Sequence, residues 1–231
     1  MKNKLVLAAM ALLAGSVAMA QSTTNSIYID QVGDSSTITI VQKGQSNRIG
    51  TEQNRVVLEG NNQTITTTQE GNNNSIQGSI VQADNVDMDV TVTGDNNAIV
   101  YDQGDGASVA GSEKTLTVTG DSNTLTFNQG TTASATGATQ TIAITGDTNT
   151  LTSTINADDV VNTKTIAGDG NTITTVQDGT AGKNIEMLLT GNTNTITVNQ
   201  KSTTNVDTLK LNSTSTGSTI TINQCNAGGP C

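Results

Sequence analysis

Apolar and polar residues alternate along most of this chain with a period of two, the signature of half-buried strands, and Gly-centred turns interrupt the alternation. The clearest stretch runs from Asn25 to Gln53. It reads Asn25-x5-Gln31-x-Gly33-x2-Ser36-x-Ile38-x3-Gln42 and then, starting again at Ser36, Ser36-x5-Gln42-x-Gly44-x2-Asn47-x-Ile49-x3-Gln53. Each pass predicts a strand ending in Gln, a turn and a second strand. The overlapping passes predict the tightest pair of rungs in the chain.

The core of that pattern, Gly-x2-Asn-x-(Ile/Leu)-x3-Gln, continues to the C-terminus. It is complete at Gly94, Asn97, Ile99 and Gln103; at Gly120, Asn123, Leu125 and Gln129; at Gly168, Asn171, Ile173 and Gln177; and at Gly191, Asn194, Ile196 and Gln200. Looser copies fall at Gly60, Gln63, Ile65 and Gln69; at Gly71, Asn74 and Ile76; at Gly146, Asn149 and Leu151, with Ile155 in the Gln place; and at Ser218, Ile220 and Gln224. From Gly94 onward each turn is preceded by a second alternating segment, such as Met88 to Thr93 or Ile185 to Thr190. Loops rich in Gly, Ser, Ala and Thr take up the uneven spacing. The expectation is an all-β chain folded as a β-solenoid of parallel, stacked strand-turn-strand rungs, roughly 22–26 residues per coil.

Parity decides which way the side chains face. Asn, Ile and Gln of the motif lie at i, i+2 and i+6 and share one face of a strand with position i+4, which is Tyr101, Phe127, Val198 or Ile222. With that face inward, Ile38, Ile49, Ile65, Ile76, Ile99, Leu125, Leu151, Ile173, Ile196 and Ile220 form a thin apolar stack. Amides border it: Asn47, Asn74, Asn97, Asn123, Asn149, Asn171 and Asn194, and Gln31, Gln42, Gln53, Gln69, Gln103, Gln129, Gln177, Gln200 and Gln224. A buried amide left unpaired costs a few kcal/mol, whereas identical amides on successive rungs can hydrogen-bond as a ladder. The turn glycines are Gly33, Gly44, Gly94, Gly120, Gly168 and Gly191, and the opposite, outward face carries Thr.

Composition agrees with a thin core. Among 231 residues, 33% are hydrophobic and 1% aromatic, so a core built on large aromatics is not expected. The regular Ile, Val and Thr, with a single Pro, favour ordered β-structure over disorder. The chain has no His, which removes the commonest general base and transition-metal ligand. A net charge of -10 disfavours nucleic acid as a partner. Lys2 and Lys4, the apolar run Leu5 to Ala14, and Ala18-Met19-Ala20 predict a secretory signal over residues 1–20, cut before Gln21. The apolar run is too short to span a bilayer. A short leader at 21–24, repeats over 25–224 and a tail at 225–231 follow. The expected location is extracellular or at the cell surface.

The repeat resembles that of curlin, the subunit of bacterial curli fibres, Ser-x5-Gln-x-Gly-x2-Asn-x-Ala-x3-Gln. Asn25 stands in the Ser place, Ser36 in one Asn place, and Ile38 and Ile49 in the Ala place. The resemblance implies a structural protein that polymerises head to tail into extracellular amyloid of biofilm matrix and serves adhesion. Its implied partners are further copies of itself, a nucleator subunit and an outer-membrane export apparatus. The chain departs from the family in its short leader, its longer central loops, its greater number of copies and its terminal cysteines.

Cys225 and Cys231 are spaced to form a disulfide ring, with an intermolecular bridge or free thiols as alternatives. Gly-Asp turns at Asp34, Asp95, Asp121, Asp147 and Asp169 would stack carboxylates that could hold Ca2+, but Asp beside Gly is also a good turn former, so no metal site and no cofactor are expected. No carboxylate pair stands out for polysaccharide cleavage, and an enzyme is not expected. Outward Thr-(Ile/Leu)-Thr triplets would build two Thr columns, a pattern similar to ice-binding β-helices. A monomeric ice-binding protein or surface adhesin is therefore the alternative function.

Overall fold

The computed structural model describes residues 16–20, 25–32, 37–104, 109–179, 182–204 and 206–225, with 16–20 and 82–84 as backbone. Its elements are strands, and no helix occurs among the described residues. The chain winds as a β-solenoid whose every coil contributes to each of two parallel sheets. The first coil holds β1 (Ser16–Ala20), then β2 (Ser26–Ile27) and β3 (Ile29–Val32). The next two hold β4 (Thr37–Lys43), β5 (Arg48–Ile49) and β6 (Val56–Asn61), then β7 (Thr64–Glu70) and β8 (Ser75–Asp84). β9 (Asp87–Thr93) and β10 (Ala98–Gln103) form the fourth coil, and β11 (Glu113–Thr115), β12 (Val118–Thr119) and β13 (Thr124–Gln129) the fifth. β14 (Thr139–Thr141) with β15 (Thr150–Asn156), and β16 (Val161–Thr163) with β17 (Thr172–Gly179), follow. β18 (Lys183–Leu189) with β19 (Thr195–Ser202), and β20 (Asp207–Ser213) with β21 (Thr219–Cys225), complete the rod.

Sheet 1 runs in the order β1-β4-β7-β9-β11-β14-β16-β18-β20, with β12 beside β9; sheet 2 runs β2-β5-β8-β10-β13-β15-β17-β19-β21, with β3 and β6 beside them. This corrects the reading of the opening passes as two rungs. Ile38 lies on sheet 1 and pairs with Ile65, while Ile49 lies on sheet 2 and pairs with Ile76. The short offset between the passes is thus the step from one sheet to the other within a coil. A full coil takes 22 to 27 residues.

The turn from sheet 1 to sheet 2 dictates the stack. Its Gly faces the carbonyl of the next coil so closely that a Cβ at Gly94 would sit 2.2 Å from the Gly120 oxygen, and one at Gly120 would sit 2.4 Å from that of Gly146. Both glycines also hold φ near +110° and +104°, where other residues are strained. The third turn residue is left-handed, as at Asn96, Ser122 and Thr148. Asn ends the turn and is buried from Asn47 through Asn194. Its Oδ1 accepts the backbone N–H of the next Asn, for example Asn74 to Asn47 at 3.0 Å and Asn123 to Asn97 at 2.9 Å. Its Nδ2 donates to the preceding Asn Oδ1 and to the next turn's Gly carbonyl, as Asn97 does at 3.1 and 2.8 Å. The ladder begins on Asn25 and ends on the Ser218 N–H.

Replacing Asn123 by Ala removes its bonds to the Asn on either side and leaves the Asn149 N–H without its acceptor. Urea unfolding is expected to register a loss of about 3 kcal/mol, against no more than about 0.5 kcal/mol for the outward Thr124→Ala.

Candidate functional surfaces

Along sheet 2 the third inward column reads Gln31, Leu58, Ile80, Gln103, Gln129, Ile155, Gln177, Gln200 and Gln224. Gln42 and Gln69 belong instead to sheet 1, where they bond at 2.7 Å and are followed by Val92 and Val118. Gln177 donates to Gln200 at 3.1 Å and Gln200 to Gln224 at 2.9 Å. Gln129 turns to the Ser112 hydroxyl, and Gln103 meets Lys114. The Gln residues therefore form short runs on two sheets rather than one ladder. Gln53 is in neither, because Gly50 leads into an exposed five-residue bulge, 51–55, closed by the Thr51 N–H on the Asn54 carbonyl, and Leu58 takes the inward place. The inward apolar residues from Ile49 to Ile196 are buried; Ile38 and Ile220, near the two ends, are partly so.

The core contains three lysines that parity could have flagged and motif reading passed over. Lys164 and Lys183 are fully buried and Lys114 nearly so. Lys114 shares an inward column with Met88 and Gln140. Lys164 alternates with Asn162 and Ile166, and it lies opposite Ser153, which replaces the large Phe127 of the preceding coil. Its Nζ donates to Asn162 Oδ1 at 2.6 Å and to Ser153 Oγ at 3.1 Å; Asn162 in turn donates to Gln177 at 2.8 Å, and Thr175 to Ser153 at 3.2 Å. Lys183 instead pairs with Asp207 at 3.1 Å. Burial pulls the Lys164 ammonium down to about 7. The same cause lowers Lys114 to about 7, partly opposed by Asp102.

The second turn residues make an outer column in which each side-chain oxygen accepts the N–H of the preceding coil. Asp121 accepts from Asp95 at 2.7 Å, Asp147 from Asp121 at 2.7 Å, and Asp169 from Asp147 at 2.9 Å. One oxygen of each carboxylate is thereby engaged in holding the turns together. No group of three or more Cys, Asp or Glu residues among the described residues is placed to hold a metal ion. Gly33, Asp34 and Cys231 lie outside the described residues; Cys225 ends β21 and is disulfide-bonded.

Two surfaces remain as candidates. One is the pair of coil ends. Among the described residues β20 and β21 are paired on one side only, and their Leu209, Leu211, Ile220 and Ile222 are partly exposed where Ile196 and Val198 one coil earlier are fully buried. The other is the outer face of sheet 2, where Thr124, Thr150, Thr172, Thr195 and Thr219 align in one column and Thr126, Thr152, Thr174, Thr197 and Thr221 in the next.

The buried lysines give stability a specific pH dependence. Unfolded, they titrate near the ordinary 10.5; folded, Lys114 and Lys164 do so near 7, so the unfolded chain binds more protons between those values. Unfolding free energy is expected to rise as pH is raised from about 7 toward about 10.5, by a few kcal/mol, and to be lowest at and below about 7. In a Lys114→Met, Lys164→Met double variant, denaturant titrations across this range are expected to flatten.

Compared with known proteins, the chain matches no family model, no curated protein and no solved structure.

Proposed function

We propose that the chain is a secreted structural subunit that stacks end to end with copies of itself into an extracellular, curli-like amyloid fibre of biofilm matrix and adhesion. The observation that carries this reading is the match between the two end coils. Ile27 and Ile220 occupy the same sheet 2 column, as do Gln31 and Gln224, and Ile38 and Leu209 share a column of sheet 1. A C-terminal coil laid on an N-terminal coil would continue the sheet 2 ladder from β21 to β2 and bury the partly exposed Ile220 and Ile222 side chains. Unpaired strand edges are normally blunted by charge, Pro or a covering element; β21 instead offers Thr, Ile and Asn.

Removal of residues 1–20 would add to this. β1 lies within that segment and pairs with β4 from Ser16–Ile38 to Ala20–Gln42, so its loss leaves β4 as a free edge of sheet 1. The predicted secretory signal and the curlin resemblance support an extracellular location, with a nucleator subunit and an outer-membrane export apparatus as further partners. The reading calls for cohesion alone and gives no residue a catalytic part.

Purified chain lacking residues 1–20, held at neutral pH, is expected to form fibres with cross-β spacings of about 4.7 and about 10 Å. Ile220→Lys, which places a charge on the exposed end coil, is expected to slow growth strongly while leaving the circular dichroism of the monomer unchanged. A persistently soluble wild-type monomer would overturn the reading.

A further inference from the structure

We infer that the outer face of sheet 2 from β13 to β21 is a binding surface for the ordered water lattice of ice. The inference stands independently of fibre formation. Ten threonines occupy two parallel columns over five successive coils, and none of the four strand pairings that carry them contains a register shift. Sheet 2 does not have this regularity throughout, since β6 and β8 are bulged between Leu58 and Gly60.

The cause lies in the unequal crossings between the sheets. The turn that enters sheet 2 has the same length in the first four of these coils, from Gly120 to Asn123, Gly146 to Asn149, Gly168 to Asn171 and Gly191 to Asn194, where the Asn ladder clamps it, and in the fifth, from Ser215 to Ser218, where the ladder ends. The loops of varying length lie on the return crossing, as between Gln129 and Thr139. Irregular spacing in the sequence is thus kept away from the Thr face.

The chemistry of the face is equally uniform. Both columns are uncharged, and the coil before them continues them with Ala98 and Val100. Every Thr of the first column is exposed, and the second is exposed or half-buried. β-branching restricts χ1, so methyl and hydroxyl positions repeat from coil to coil. Hydroxyls recur about 4.8 Å apart along the rod and about 6.6 Å apart along each strand. A rigid array with two such periods calls for a partner that is itself periodic in two dimensions. The shorter repeat of hexagonal ice is close to the spacing along the rod, and the methyl groups favour water that is already ordered.

The test is ice-recrystallisation inhibition and crystal shaping by freshly purified, soluble chain. The wild type is expected to arrest recrystallisation and facet the crystals. Thr152→Lys and Thr174→Lys, made separately, each place a charge in the middle of the array and are expected to lose that activity, while Thr66→Lys on the outer face of sheet 1 retains it. Far-UV circular dichroism checks that each variant is folded. The inference is overturned if the wild type leaves ice growth unchanged, or if the Thr66 variant loses activity alongside the other two. Should the sheet 2 variants instead change only the lateral association of fibres, the face is a contact between copies and the inference also fails.

Discussion

One buried amide per coil holds this molecule in register. The Asn that ends each Gly-x-x-Asn turn is bonded through both side-chain heteroatoms to the coils above and below, and it is withdrawn from solvent from Asn47 through Asn194. Because both Asn and the turn glycine address the neighbouring coil, neither can shift alone. A Cβ at the Gly would enter the next carbonyl, and a displaced Asn would strand buried donors and acceptors. The outer carboxylate column adds a second line of bonds at the same corner. This corner is where a chain with few large apolar residues obtains its order.

With one corner fixed, the rest of the coil is free to vary. The return crossing accepts loops of several lengths, and the core accepts Gln, Ser, Thr and even Lys where their partners lie on the facing sheet. Each coil rests chiefly on its two neighbours, so stability should accumulate as a sum of nearest-neighbour terms. The cost falls on the first and last coils, which among the described residues have a neighbour on one side only. That asymmetry links the fold to both readings of its surface: the proposed end-to-end stacking would pair the outermost described strands, while the sheet 2 face inherits its regularity from the clamped corner.

Much of this was legible in the residues. Period-two alternation gave the strands, Gly-x2-Asn gave the turn, and the parity of Asn, Ile and Gln gave the inward face, because each is a local rule of extended backbone. Which sheet a strand joins is a long-range fact, and there the reading slipped. Ile38 and Ile49 satisfy the same template on opposite sheets. Gln53 satisfies it within an exposed bulge, since a template cannot tell that the chain leaves the sheet at Gly50 and returns at Val56. Lys164 could have been found by parity with Asn162 and Ile166, but its tolerance depends on Ser153 and Thr175 across the core, residues distant in sequence.

The central claim is that the Asn ladder, rather than apolar burial alone, sets the register of the coils. Amide hydrogen exchange followed by NMR on the soluble monomer tests it directly. Backbone N–H and Nδ2–H groups of Asn97, Asn123, Asn149 and Asn171 are predicted to be among the slowest in the protein, opening only with global unfolding. Exchange of these groups at the rate of the outward Thr face, while the Ile and Leu columns stay protected, would contradict the account.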